Sequence, residues 1–422
     1  LKHVCGPNTP RSLPPHSEGG TRPGPRPMRA GTTASSKRVA PTNGDGSFCG
    51  GLFPCWRPSP PMSSGTELRR ADRGGARQPT WTEFTSFDTY VFDCDGVIWG
   101  ISEADTATAV STINFLIKSG KRVMFVTNNS NKRRRDFVEE LIRKGIDFGG
   151  RSEKERLGMM ISASYTTARY LAAAGLRYPF VITSDTGLLQ ELQEVGITQF
   201  FATIDLDGNP DPRFESAAMM GVDPSIVDII ASRPEVDCIV MGWDMGITAR
   251  KVGTAVNYIR FHDDLNKDKP GYKPMPIIAC SGDASGVLGT AQYQGQNVKI
   301  RAIGNGAMAD FVARCFDPVR EWLDMGKPSD ALLELLASPQ AYNVDLSKAL
   351  MVGDTLQTDI VFGNRGGMAT LLVLTGVTTA EELQEALLSE ERHRIPTFQL
   401  PKLGHFASAT SHLGVTSTQS CV

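Results

Sequence analysis

The chain has 422 residues, 40% of them hydrophobic, and a formal net charge of -2 at pH 7. That balance excludes a global pull towards nucleic acid, and no run approaches the roughly 18 apolar residues of a membrane-spanning helix, so neither is an expected partner. Eight cysteines without CxxC or zinc-like spacing exclude a disulfide framework and favour a reducing, cytoplasmic compartment.

Residues 1–80 hold 12 Lys/Arg against 4 Asp/Glu, and 13 of the 26 prolines. A segment so rich in Pro, Gly, Ser and Arg cannot bury enough apolar surface to order itself and reads as a disordered basic tail. An Arg- and Ser-rich organelle transit peptide is the competing reading, opposed by the prolines of "NTPRSLPPH" and "TRPGPRPM", which break any amphipathic helix. Because the sequence opens on Leu1, a third expectation is that the native protein begins at Met62 or Met28, which N-terminal sequencing would check.

From Trp81 the pattern becomes strands alternating with helices. "TYVFDCDG" is a short apolar run ending in a turn, the form of a buried parallel strand. Val110, Ile113, Leu116 and Ile117 recur at helical spacing, and Gly120 closes that helix. "RVMFVTNNS" is a second strand, and Phe137, Val138, Leu141 and Ile142 mark a further helix stopped by Gly145. "PFVITSD", "DCIVMGWD" and "MPIIACSGD" repeat the strand form in the middle of the chain. Helices are expected around "GLLQELQEVG" and "ARKVGTAVNYIRF", with "HDDLNKDKPGYKPMP" as a long exposed loop. "KALMVGD" and "ATLLVLTGV" then return to the first pattern, with "TDIVFGNRGGM" as the helix between them. Strand, helix, strand at this spacing implies right-handed crossovers and a parallel sheet. The expected organisation is a first core part over 81–167, an inserted α/β domain over 168–320, a second core part over 321–398 and a C-terminal tail over 399–422. The fold class is α/β: a doubly wound, Rossmann-like parallel sheet with an insertion.

Two aspartates, Asp93 and Asp95, follow the first strand one residue apart. At ~4 Å and an effective dielectric near 20 their repulsion costs about 4 kcal/mol, which a cation or a retained proton would offset. Ligands of open parallel sheets bind beyond the carboxyl ends of the strands. Thr127, Asn128, Asp354 and Asp359 are placed there too, and Lys327 in "MGKPSD" supplies a cation just before a helix. Asp93, Asp95 and Asp354 make an oxygen-rich site suited to Mg2+. That ion and Lys327 would let the acidic site accept a phosphate, with Thr127 and Asn128 as neutral donors. Asp93 then serves as a nucleophile forming an aspartyl-phosphate, and Asp95 as the acid and base. Cys94 points to the opposite face of its strand and reads as core packing. The basic run "NKRRRD" reads as a solvated helix start, "GNGAM" as a turn, and the six histidines show no metal spacing.

"VFDCDGV", "FVTNNS", Lys327 in "GKP" and "MVGDTLQTDI" resemble, in order and spacing, the four motifs of the haloacid dehalogenase superfamily. With "LLVLTGV" they resemble its para-nitrophenyl phosphatase, phosphoglycolate phosphatase and pyridoxal phosphatase branch, over about Phe84 to Pro396. The resemblance implies a large α/β cap in the inserted domain and Mg2+-dependent hydrolysis of a small phosphorylated metabolite. It implies Asp93 as nucleophile and metal ligand, Asp95 as acid/base with its main-chain carbonyl on the metal, and Thr127, Asn128 and Lys327 on phosphate. Asp354 would be the third protein ligand and Asp359 would support the metal's water shell. In the cap it points to Asp244 of "GWD" and Asp283 of "ACSGD" as substrate-loop candidates, and it implies pairing of two copies through the cap. The "ACSGD" and "AIGNGAM" segments depart from the family's usual forms and bear on substrate rather than chemistry. The readings set against this are a non-catalytic binding protein on the same fold, a phosphoprotein phosphatase and a dehalogenase. A non-catalytic relative should lack one of Asp93, Asp95, Lys327 or Asp354, and all four are present; dehalogenation needs neither the second aspartate nor Mg2+.

Overall fold

The computed structural model describes residues 76–215 and 225–407. The expected basic tail up to residue 75, the alternative starts at Met28 and Met62, and the end of the chain from residue 408 lie outside the described residues.

In chain order the strands are β1 (Thr89–Phe92), β2 (Arg122–Thr127), β3 (Met160–Ser162), β4 (Pro179–Ile182), β5 (Phe201–Ala202), β6 (Cys238–Met241), β7 (Ile277–Ala279), β8 (Ser285–Tyr293), β9 (Gln296–Ile303), β10 (Leu323–Asp324), β11 (Ala349–Gly353), β12 (Ala369–Val373) and β13 (Phe398–Leu400). A six-stranded sheet runs β13-β12-β11-β1-β2-β3, and a five-stranded sheet runs β10-β7-β6-β4-β5. Both are parallel throughout. The second sheet is built from chain that leaves the first after β3 and returns to it at β11, so an α/β domain is inserted into a parallel α/β core.

Strand β1 is central because it is apolar on both faces, all four residues being buried. Tyr90, Phe92 and the following Cys94 pack to one side with Phe84, Phe125 and Phe398. Val91 packs to the other with Met124, Met351 and Phe362. Cys94 is therefore core, as its parity requires. Each of these large side chains contributes about 1.5–3 kcal/mol through burial. The helix Glu103–Lys118 that follows is capped by Ser102, whose hydroxyl accepts from Asp105 N at 3.1 Å. It buries Ala109, Ile113, Leu116 and Ile117 against the same core. Loss of the cap in Ser102→Ala would cost about 1 kcal/mol. Past β13, Phe406 returns to this core and packs on Phe84, with ring centroids 5.0 Å apart.

From β1 the chain winds to β2 and β3 on one side; after the insertion it resumes at β11 and winds to β12 and β13 on the other. The direction reverses between β1 and β11, and a crevice opens there beyond the strand ends.

Two segments differ from the sequence expectation. The helix Ala249–Asn266 runs on through "HDDLN" instead of ending before it. Polarity does not stop a helix; its buried stripe of Val252, Ala255, Tyr258 and Ile259 carries it forward until Pro270 and Gly271 end any continuation. The second segment is the antiparallel hairpin β8–β9, which no expectation covered. Both of its faces are largely exposed, so no buried alternation marks it in sequence. Its turn is set by Gln294 and Gly295 at φ 51° and 78°, the left-handed pair that a two-residue hairpin needs.

Candidate active site

The end of β1 delivers Asp93 into the crevice, with its amide bonded to Val352 O of β11 at 2.8 Å. The end of β11 delivers Asp354, and the turn after it delivers Asp359. Asp93, Asp354 and Asp359 are all buried, and each places a carboxylate oxygen within 4.8 Å of the others. Lys327, itself buried, comes in from the loop after β10. Its Nζ donates to Asp93 Oδ1 at 2.6 Å and to Val126 O at 3.0 Å. Its charge also lies 2.7 Å from Asp359 Oδ1, an oxygen that makes no hydrogen bond; the contact is a pairing of charges without hydrogen-bond alignment.

The electrostatics follow from this crowding. Loss of water pushes the Asp93 carboxyl well above the usual range; Lys327 pulls it down, and Asp359, Asp354 and Asp95 push it up again. Burial, then the charge of Asp359, raises Asp354 to about 7. For Lys327 burial opposes the charge, but Asp359 and Asp93 outweigh it and hold the ammonium above its ordinary range. Three carboxylates thus face one ammonium, and the site carries unbalanced negative charge in a dry place. That is the chemistry of a hard-cation site: all donors are oxygen, and the residues present fit a divalent ion.

Asp95 is set apart from that group. Its Oδ1 accepts from Trp99 Nε1 at 3.0 Å and its Oδ2 from the Thr127 hydroxyl at 3.2 Å. It keeps a solvent-exposed surface, yet the atoms around its carboxyl displace enough water to raise its pKa, with both hydrogen bonds opposing. Trp99 is a site residue that sequence reasoning missed; its signal is the fourth place after Asp95 in "DCDGVIWG". The loop after β12 was missed as well. Val377 N donates to Asp354 Oδ2 at 2.6 Å. Two glycines clear the space for this carboxylate, since a Cβ at Gly376 or Gly96 would lie 1.8 or 2.3 Å from Asp354 Oδ2. Asp359 in turn is fixed by Asp354 N and Thr355 N, at 3.1 and 3.0 Å, both on its Oδ2.

Asn128 binds the loop that carries Lys327. Its Oδ1 accepts from Lys327 N at 2.7 Å, and its Nδ2 donates to Lys327 O and to Asp283 Oδ2, each at 3.0 Å. Asp283, from the inserted domain, is thereby brought to the core site, and desolvation raises its pKa. Asp244 is engaged elsewhere. Lys251 Nζ lies 3.0 Å from its Oδ2, and Gly246 N donates to its Oδ1 at 2.8 Å. Both partners of that ion pair are buried.

A family model described as Haloacid dehalogenase-like hydrolase matches residues 90–198, and a second, described as HAD-hyrolase-like, matches residues 324–404. The chain is 33% identical over 304 residues to Phosphoglycolate phosphatase 2 of Arabidopsis thaliana, covering 71% of this chain and 87% of that protein. It is 29% identical to Glycerol-3-phosphate phosphatase of Rattus norvegicus over 331 residues, 76% of this chain and 90% of the relative. Among solved structures, the p-nitrophenyl phosphatase from Archaeoglobus fulgidus shares the fold with a TM-score of 0.52 at 23% identity, over 77% of this chain and 99% of that one. The chain belongs to the haloacid dehalogenase-like hydrolases. Within them it is a phosphoric monoester hydrolase. Among the described residues no helix is long and apolar enough to cross a membrane.

Proposed function

We propose that this chain hydrolyses small phosphorylated metabolites, of the phosphoglycolate, pyridoxal phosphate or para-nitrophenyl phosphate type, through an aspartyl-phosphate on Asp93 with Mg2+ as cofactor. The observation that carries the reading is the 2.6 Å contact of Lys327 Nζ with Asp93 inside a group of three buried carboxylates. Mg2+ would be held by Asp93, Asp354 and the main-chain carbonyl of Asp95, with Asp359 beside them, and when bound it supplies neutralising charge for a phosphoryl group.

A carboxylate of Asp93 forms the new bond to phosphorus as the ester P–O bond breaks. Lys327 attracts the phosphoryl oxygens and works against the burial that favours a neutral Asp93, and a bound Mg2+ would add to that pull. Asp95 carries the proton. Desolvation favours its neutral form, and Trp99 and Thr127 hold its two oxygens in place, so it can deliver a proton to the departing alkoxide. Left as a carboxylate, it then takes a proton from the water that attacks the aspartyl-phosphate, which releases inorganic phosphate and restores Asp93. Asn128 would act on phosphate partly through Lys327, whose main chain it grips on both sides.

The relatives named for phosphoglycolate and glycerol 3-phosphate support a small anionic alcohol as the leaving group. Four free cysteines among the described residues support a reducing compartment such as the cytoplasm. The test is kcat/KM for a panel of phosphomonoesters with Mg2+, run beside Asp93→Asn. The variant should be inactive on every substrate; turnover near wild type would defeat the assignment.

A further inference from the structure

Away from the carboxylate group, the start of helix Arg134–Arg143, the helices Glu153–Leu157 and Ala163–Ala174, and the turn at 340–342 enclose a recess of about 500 Å³. Arg134, Arg135, Lys154 and Arg169 line it together with Tyr165 and Tyr342. It shares no residue with the active site. The basic run expected as a solvated helix start supplies two of the lining residues, Arg134 and Arg135.

The four cations are not equivalent. Arg135 is ion-paired to Glu153, the one acidic residue of the lining. Arg134 lies 3.4 Å over the Tyr165 ring and reaches Glu191 and Glu194, each at 3.2 Å, on helix Gly187–Glu194. Those two cations face three carboxylates of the protein, two of them on Arg134 and outside the lining. Lys154 and Arg169 have no ion pair or side-chain hydrogen bond among the described residues, so the recess keeps two uncompensated positive charges. Tyr342 lines the recess with a phenol that burial and a hydrogen bond to Tyr165 keep protonated. Two cations without an acidic partner of their own favour an occupant that carries negative charge. A volume of this size exceeds what a single phosphate fills and matches that of small-molecule sites.

We propose that this recess is a second, non-catalytic binding site for a compact polyanion of the polyphosphate or organic phosphate class, held by Lys154 and Arg169. The inference does not depend on the aspartyl-phosphate reading. It is tested on the full chain in EDTA by calorimetric titration with inorganic tripolyphosphate, with ATP as the arm that shows whether an organic group adds affinity. The double variant Lys154→Ala/Arg169→Ala should weaken tripolyphosphate binding at least tenfold, and Lys154→Glu further. Its unfolding midpoint without ligand and its turnover of para-nitrophenyl phosphate with Mg2+ should match wild type, since both side chains are exposed. The single variants Lys154→Gln and Arg169→Gln, each expected to weaken binding severalfold, guard against a folding defect in the double. A dissociation constant unchanged within twofold places the ion outside this recess and overturns the proposal, as does an absence of wild-type binding. Loss of turnover with Asp93→Asn while tripolyphosphate still binds keeps the two readings apart.

Discussion

The two sheets are built alike, and they differ in how the carboxylates at their strand ends are compensated. Each reverses its winding direction between neighbouring central strands, β1 and β11 in the first, β4 and β6 in the second. Each places an aspartate just beyond such a strand end: Asp93 after β1, Asp244 after β6. The difference lies in what surrounds the carboxylate. Asp244 is the one buried carboxylate on Lys251, which Gly246 O holds in turn at 2.9 Å; the second carboxylate in reach, Glu215 at 3.6 Å, is exposed and screened by water. Asp93 shares one ammonium with two other carboxylates. A closed pair is a structural fixture, whereas a deficit of positive charge is an invitation to a cation and to chemistry. Topology prepares both crevices, and charge imbalance sets one of them apart.

The contrast can be broken most directly at the deficient site. Asp93→Asn should lower kcat by about 10³-fold or more, and EDTA should abolish turnover in wild type, both read with para-nitrophenyl phosphate. Wild-type turnover in either case removes the premise. In the balanced site the effect should fall on stability. Lys251→Ala strands a buried Asp244 and should cost about 3–5 kcal/mol in urea unfolding, while Asp244→Asn/Lys251→Met should cost clearly less than the single change. If the single variant unfolds like wild type, the pair is not the fixture described.

Smaller changes sharpen the boundary. Asn128→Ala frees the main chain around Lys327 and should lower kcat about 10–100-fold with a lesser change in KM, since it displaces a charge rather than a binding surface. An effect confined to KM would place Asn128 on the substrate instead. The smallest effect concerns Asp324, just before Lys327, which burial and then the charge of Asp283 raise to about 7 against a hydrogen bond from Gly326 N. A folded pKa above the unfolded value gives stability that is full below pH 4 and lost as pH rises through 7. Asp324→Asn should therefore match wild type near pH 4 and exceed it by about 1–2 kcal/mol at pH 8, a figure reduced for a half-buried carboxyl. A difference independent of pH would show that the proton is not the cause.

How much was legible follows the same division. β1, β2, β4, β6, β7, β11 and β12 could be read because strands buried on both faces are continuous apolar runs. β3, β5, β10 and β13 are two or three residues long and were not read; β7 is no longer, but "MPIIAC" carries its apolar run beyond the strand. The hairpin β8–β9 was hidden because neither face is buried. In the site, Asp93, Lys327 and Asp354 could be found by residue type at strand ends. The partition of roles among neighbours could not, because it depends on side-chain direction: Asp359 turns into the carboxylate group and the Asp95 side chain turns out of it, towards Trp99. The hold of Asn128 on Lys327 spans 199 residues of sequence and has no local signature.

The ion pair of Lys327 with Asp93 joins residues 234 positions apart, and β1 cannot pair with β11 until the whole insertion has been made. At roughly 5–20 residues per second a ribosome takes on the order of tens of seconds to cover that gap. Throughout that interval Tyr90, Val91 and Phe92 would form an open strand edge on a nascent chain, the kind of surface that chaperones cover and neighbouring chains capture. The arrangement that keeps the crevice central in the finished enzyme makes it close late in synthesis, with only β12, β13 and the return of Phe406 still to come.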